Sequence, residues 1–188
     1  MANKIKYGIK NAYYAVATIG DNNTATYGTP VALPGAVSLS LDQEGENNIF
    51  YADNIAYFSA YGNDGYTGSL ELALIPDAFR TEVLGEVLDN KGVIVENQNA
   101  ETVHFALLFQ FEGDKHGTRH VLYNCTAARP TVAGKTTTNT KEPDTTALTI
   151  TAAPMEDGMV KARTTVNTPA EIYNGWFDAV WQPNAAEG

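Results

Sequence analysis

Three histidines are the first residues to test for chemistry: His104, His116 and His120. His116 and His120 lie four apart beside Asp114, a set that could hold a metal ion, but no HxH or HExxH spacing occurs and the chain's single cysteine, Cys125, has no cysteine partner. Surface and strand histidines are the simpler reading. AGKTTT at 133–138 has the end of a phosphate-binding loop. The pattern requires a glycine five residues before Gly134, and that position is Arg129, so the loop is rejected. No G-x-S-x-G elbow occurs. Cys125 sits among alternating apolar residues and reads as a small buried side chain rather than a nucleophile. The chain is rich in acids, yet no spacing singles out a catalytic pair. No catalytic, cofactor-binding or metal-binding constellation emerges, and the expectation is a protein that is not an enzyme and needs no cofactor.

The elements around these residues are mostly strands. Val37, Leu39 and Leu41 alternate with serines, and Leu70, Leu72 and Leu74 alternate with Ser69, Glu71 and Ala73. Val103–Phe111, Val121–Ala127 and Leu148–Ala152 repeat the pattern, and period two marks strands with one buried face. Turn residues separate the runs at 20–23, 62–65, 90–92, 113–117 and 157–158, and EGDKHG (112–117) reads as a hairpin turn. One stretch breaks the pattern. In IPDAFRTEVLG (75–85), Pro76 suits a first helical turn, Asp77 complements the helix dipole, Phe79 and Val83 share a face with Leu84 beside them, and Gly85 marks the stop. So short a helix is unstable alone and must dock Phe79, Val83 and Leu84 on a sheet. A second short helix is expected at 168–173, with Thr168 as its cap and Pro169 at its first position. The expected architecture is mainly β: an antiparallel β-sandwich or partly open barrel with one flanking short helix, in a single domain over 1–188.

Three segments do not read as core: an N-terminal arm (1–12), a long inter-strand loop (42–66) and a C-terminal arm (166–188). The loop carries Phe50, Tyr51, Tyr57, Phe58 and Tyr61, and the C-terminal arm carries Trp176 and Trp181. Aromatics on long loops suit a partner surface, although an ordinary hairpin folding back on its domain has the same composition. The Thr-rich stretch 134–146 reads as a strand edge and loop.

The formal net charge is −10, and no Lys or Arg occurs from Asn11 to Phe79, a span holding eight acids. Phosphate binding needs clustered bases, so nucleic-acid binding is disfavoured. The acids solubilise, or they form a surface that repels an anion. The first ten residues are polar with three lysines, and no apolar run approaches the ~20 residues of a membrane span, so cytoplasmic folding without membrane insertion is expected.

Taken in order, IKYGIKNAYYA (5–15), ADNIAYF (52–58), SLELALIPDAFRTEVLG (69–85), FALLFQFEGDKHGTRHVLYNCTAARP (105–130) and EPDTTALTITAAP (142–154) resemble the major tail proteins of long-tailed siphovirus bacteriophages of Gram-positive hosts. The resemblance spans nearly the whole chain. It implies a structural tail tube subunit, present in the virion tail and assembled in the host cytoplasm. Copies of the subunit would form six-fold rings stacked into a tube through which double-stranded DNA passes without binding. It implies contacts with tape-measure, tail-initiator and tail-terminator proteins. It implies that the long loop and the arms make ring-stacking and subunit contacts, placing Phe50, Tyr51, Tyr57, Phe58, Tyr61, Trp176 and Trp181 at interfaces, and it makes Glu71 and Glu112 candidate lumen acids. Two alternatives stay open: the tube protein of a related secretion-like or contractile apparatus, and a monomeric β-sandwich that binds a ligand on its aromatic loop.

Overall fold

The computed structural model describes residues 5–20, 24–113, 116–134, 136 and 143–183. Its main element is a nine-stranded antiparallel sheet. Seven strands follow one path: β2 (Ala25–Tyr27), β1 (Tyr7–Ile19), β10 (Phe105–Glu112), β11 (Arg119–Ala127), β12 (Thr146–Ala152), β7 (Gly65–Leu72) and β4 (Ala36–Glu44). Off this path, β3 (Val31–Ala32) pairs with β1 and β13 (Lys161–Arg163) pairs with β11. Two separate ribbons complete the strands: β5 (Asn47–Ala52) with β6 (Ile55–Tyr61), and β8 (Val87–Leu88) with β9 (Ile94–Val95). The fold is the expected mainly antiparallel β architecture with a large open sheet and a flanking short helix; the sheet does not close into a barrel.

The sheet has two faces with different covers. On the inner face, Leu39, Leu70 and Leu148 form one cross-strand row and Leu41, Gly68 and Ile150 the next. They join a core with Tyr14, Phe105, Leu107 and Leu122. Gly68 is required in its row, since a Cβ there would lie 1.9 Å from the Ser40 carbonyl oxygen. Helix α1 (Asp77–Glu82) closes this core at one end. It is shorter than expected, because Pro76 is its cap rather than its first residue and Val83 already ends it. Phe79, Val83 and Leu84 are all fully buried. The Phe79 ring meets Tyr14 at 5.0 Å and Phe105 at 5.5 Å, both edge to face. Gly85, at φ +73, lets the chain leave in the left-handed region.

The outer face of β1, β10 and β11 is also apolar, so β10 is buried on both sides. Its cover is the segment expected as a C-terminal arm. Here α2 (Ala170–Asn174) and a 3₁₀ turn (Gly175–Phe177) lay Trp176 over Ala106, Leu108, Val121 and Tyr123. Helix α2 starts one position later than expected, and the Thr168 hydroxyl accepts from the Thr165 amide.

Two other boundaries move. The N-terminal arm is shorter than 1–12, because Tyr7, Ile9 and Lys10 already pair with Glu112, Phe111 and Gln110. The long loop at 42–66 is mostly strand. Its centre turns in two residues, Asp53 and Asn54, at φ +51 and +62. Asp and Asn tolerate that left-handed geometry, and it suits the twist of a two-residue hairpin. Of the Thr-rich stretch, 135 and 137–142 lie outside the described residues, as does Asp114 of the expected turn.

Several buried groups make the fold sensitive to alkali. Burial pushes the Cys125 thiol up to about 12 and the Tyr27 phenol up to about 12. It also raises Tyr14, helped by the Glu82 carboxylate that accepts its hydroxyl at 2.9 Å, and Tyr123. Each group holds its proton more tightly folded than unfolded, so stability is intact below the ordinary values of 9.0 and 10.0 and is lost as pH rises from them through the raised folded values. Melting temperature is therefore expected to be flat from pH 7 to about 8.5 and to drop steeply above about pH 10, as followed by circular dichroism.

Candidate functional site: an exposed aromatic hairpin and a polar sheet face

Strands β4 and β7 are antiparallel neighbours, with Glu44 opposite Gly65 at one end and Ala36 opposite Leu72 at the other. From the Glu44/Gly65 end the chain continues into the β5–β6 hairpin, held at its root by Gly62 N–H donating to the Glu46 carbonyl at 2.9 Å. Beyond that root the hairpin stands clear of the domain. Phe50 and Phe58 face each other across it. Phe50, Tyr51, Tyr57, Phe58 and Tyr61 are all more than 60% exposed. Every described residue from Asn47 to Tyr61 except Ala52 is exposed, on both faces of the ribbon. A two-stranded ribbon without a packed face is marginal in water, and so dense an apolar patch marks an interaction surface.

The two tryptophans differ from that group. Trp176 is 3% exposed and lies inside the chain's own second core. Its indole N–H donates to the His120 carbonyl at 3.3 Å, and its ring stacks on Trp181 at 6.0 Å. The expected interface role therefore does not hold for Trp176, because its surface is already used within the protomer. Trp181 is half-buried against the same cluster. Arg119 pins the segment: its guanidinium lies 4.0 Å from the Tyr173 ring and 4.9 Å from Phe177, and it donates to the Tyr173 carbonyl. Trp176→Ala is expected to lose ~3–5 kcal/mol, read as a large fall in the urea midpoint and loss of the near-ultraviolet tryptophan signal.

The outer face of β4, β7 and β12 is the second notable surface. Its cross-strand rows are Ser38–Glu71–Ala147, Ser40–Ser69–Thr149 and Asp42–Thr67–Thr151. No Lys or Arg occurs on these three strands. Glu71 accepts hydrogen bonds from Thr145 and, at 2.8 Å, from Ser38; together, Thr145 first, they hold its carboxyl below the usual range, so it stays charged. Glu112 belongs to a different region. It lies at the far end of β10, paired with Lys10 at 3.2 Å. The structure does not bring the two acids together.

The histidines are dispersed in role. His104 Nδ1 is 2.6 Å from Asn124 Oδ1, and His120 stacks flat on Phe109 at 5.0 Å. Among the described residues no group of three or more His, Cys, Asp or Glu could hold a metal ion. Cys125 is fully buried, and burial raises its thiol, the opposite of what a nucleophile needs. No described helix is long and apolar enough to cross a membrane.

The aromatic composition of the hairpin was legible in sequence, but its form was not. The sequence signal for it was the Asp53-Asn54 pair between two apolar runs. The polar face was half visible, in the Ser/Leu alternation of β4.

No family model matches the chain, and no curated protein matches it. Among solved structures, it is similar to the tube-terminating cap of the anti-feeding prophage, at 12% identity and a TM-score of 0.46, over 87% of this chain and 95% of that one. It is also similar to the sheath/tube terminator of an extracellular contractile injection system in its extended state, at 9% identity and a TM-score of 0.45, over 87% of this chain and 100% of that one. Both are distant likenesses.

Proposed function

We propose that this chain is a structural, non-enzymatic subunit of a phage-tail-like tube, which assembles with copies of itself into stacked rings. The observation that carries the reading is the β5–β6 hairpin. It exposes Phe50, Tyr51, Tyr57, Phe58 and Tyr61 together on one ribbon beyond the end of the β4–β7 pair, and aromatic anchors of this kind supply interface hot spots of ~2 kcal/mol or more each. The segments at 5–15, 52–58, 69–85, 105–130 and 142–154, taken in order, resemble those of tail tube subunits.

The polar face of β4, β7 and β12 fits the wall of a lumen. Its Ser and Thr rows with Glu71 and Asp42 offer phosphate no cation, so passing DNA releases no counterions and gains nothing by stopping. Purified protein is expected to show no binding of duplex DNA tighter than micromolar at 50 mM salt; a salt-sensitive, tighter complex refutes the lumen role.

Assembly must overcome mutual repulsion between copies at a net charge of −10. Salt screens that repulsion and leaves apolar contacts intact. Sedimentation is therefore expected to show larger species at 0.5 M than at 0.02 M NaCl. Salt-induced dissociation would mean that ion pairs, not the hairpin, hold the copies together.

A further inference from the structure

The C-terminal segment is held to the sheet by side chains rather than by a strand ladder. The Thr164 amide donates to the Arg119 carbonyl at 2.9 Å. Beyond it, among the described residues, the segment's backbone-to-backbone hydrogen bonds run only within itself. Helix α2 buries none of its residues. The ties are Trp176, Arg119 and Tyr173, whose hydroxyl lies 2.9 Å from the His116 carbonyl and 3.0 Å from that of Gly117. The segment can therefore lift as one piece with the sheet intact, and such a local opening costs less than global unfolding. Within it lies the chain's single Asn-Gly pair, Asn174–Gly175, directly before Trp176. Asn174 is exposed. The fold does not require the glycine: its φ of −79 is open to any residue, and a Cβ there would meet nothing within 4 Å.

We infer that Asn174–Gly175 is a self-modification site, protected while the segment is docked and deamidated when it lifts. The docked backbone blocks the reaction. Asn174 is helical, at φ −67 and ψ −40, and the Gly175 N–H donates to the Glu171 carbonyl. Ring closure needs that nitrogen free and the Asn174–Gly175 peptide rotated out of helical ψ to face the Asn174 carboxamide. In the lifted segment the Gly175 nitrogen gives up its proton and attacks Asn174 Cγ. The new C–N bond replaces the bond to the side-chain nitrogen, which takes up a proton and leaves as ammonia. Water then opens the cyclic imide at one of its two carbonyls and leaves aspartate or isoaspartate; nothing is oxidised or reduced. Isoaspartate adds one main-chain carbon immediately before Trp176. The indole then cannot return over Ala106, Leu108, Val121 and Tyr123 while Arg119 still holds Tyr173. The chemistry needs no second copy of the chain.

The test ages the full-length protein in mildly alkaline buffer and follows its tryptic peptide 164–188 by mass spectrometry, since no Lys or Arg follows Arg163. Asn174 is expected to convert about tenfold more slowly than in a synthetic peptide of residues 170–179. Tyr173→Phe removes one tie to the β10–β11 turn and is expected to speed conversion about fivefold. Gly175→Ala fits the space and the φ, so it is expected to fold as the wild type and to suppress conversion. Aged wild type should melt below fresh protein, and aged Gly175→Ala should not. An Asn174 that stays intact after the peptide has fully converted would overturn the site. A folded chain that converts as fast as the peptide, or a rate unmoved by Tyr173→Phe, would overturn the protection by docking. Fully converted protein that melts like fresh protein would overturn the loss of the Trp176 contact.

Discussion

Phe79→Asp is expected to yield no folded protein. The ring is fully buried between Tyr14 and Phe105 at the closed end of the main core. Truncating a buried phenylalanine costs ~3–5 kcal/mol, and a carboxylate in that space has no cation among the described neighbours to pair with. The loss is comparable to the whole stability of a typical domain, ~5–15 kcal/mol. Helix α1 has six residues, too few to persist undocked, so losing its anchor also frees the Val83 and Leu84 contacts. The variant should appear in the insoluble fraction, or as a chain without near-ultraviolet circular dichroism. Phe79→Leu, which keeps most of the apolar volume, should fold with a reduced melting temperature. A soluble, cooperatively melting Phe79→Asp chain would show that α1 is not what closes the core.

The second large effect is on assembly rather than folding. Replacing residues 46–62 by two glycines removes the β5–β6 hairpin and leaves β4 paired with β7. The removed residues are almost all exposed, so they contribute little to the core. The ladder below the cut persists, with Asp64 N–H donating to the Glu44 carbonyl at 2.9 Å. The shortened chain should melt within a few degrees of the wild type and form no tubes at any concentration. Wild-type tubes from this variant would remove the hairpin from the stacking contact. Together the two variants separate the halves of the account, since the first destroys the subunit and the second spares it while destroying the polymer.

The fold was legible wherever local pattern and tertiary packing agree. Strand β12 alternates buried and exposed as Leu148, Ile150 and Ala152 predict, because one face meets the core and the other meets solvent. The helix was legible because Pro76, Asp77, Phe79 and Gly85 all point to the same element. Pattern misled where a backbone irregularity intervened. Val37 reads as core, but a register shift between Ala36 and Ser38 turns it outward, to 50% exposure. Leu74 continues the Leu70/Leu72 alternation in sequence, yet β7 ends at Leu72 and Leu74 faces solvent.

Trp176 lies inside the protomer for a reason the sequence does not show. An aromatic near the chain end looks the same in sequence whether it serves another molecule or covers its own sheet. What decides is the outer face of β10, whose Ala106 and Leu108 need a cover. That need was visible only as a run, FALLFQF, apolar at nearly every position and so buried on two sides. Conversely, the hairpin's strands show no alternation, because neither of its faces meets the core, and only the Asp53-Asn54 turn pair marks them in the sequence.

The central claim is that this chain polymerises through its exposed hairpin. Negative-stain electron microscopy of the purified, concentrated protein, beside a sizing column at low and high salt, tests it most directly. Hollow tubes of stacked six-fold rings, lost when residues 46–62 are cut, are the predicted result. A strictly monomeric species at millimolar concentration and at every salt level would contradict it.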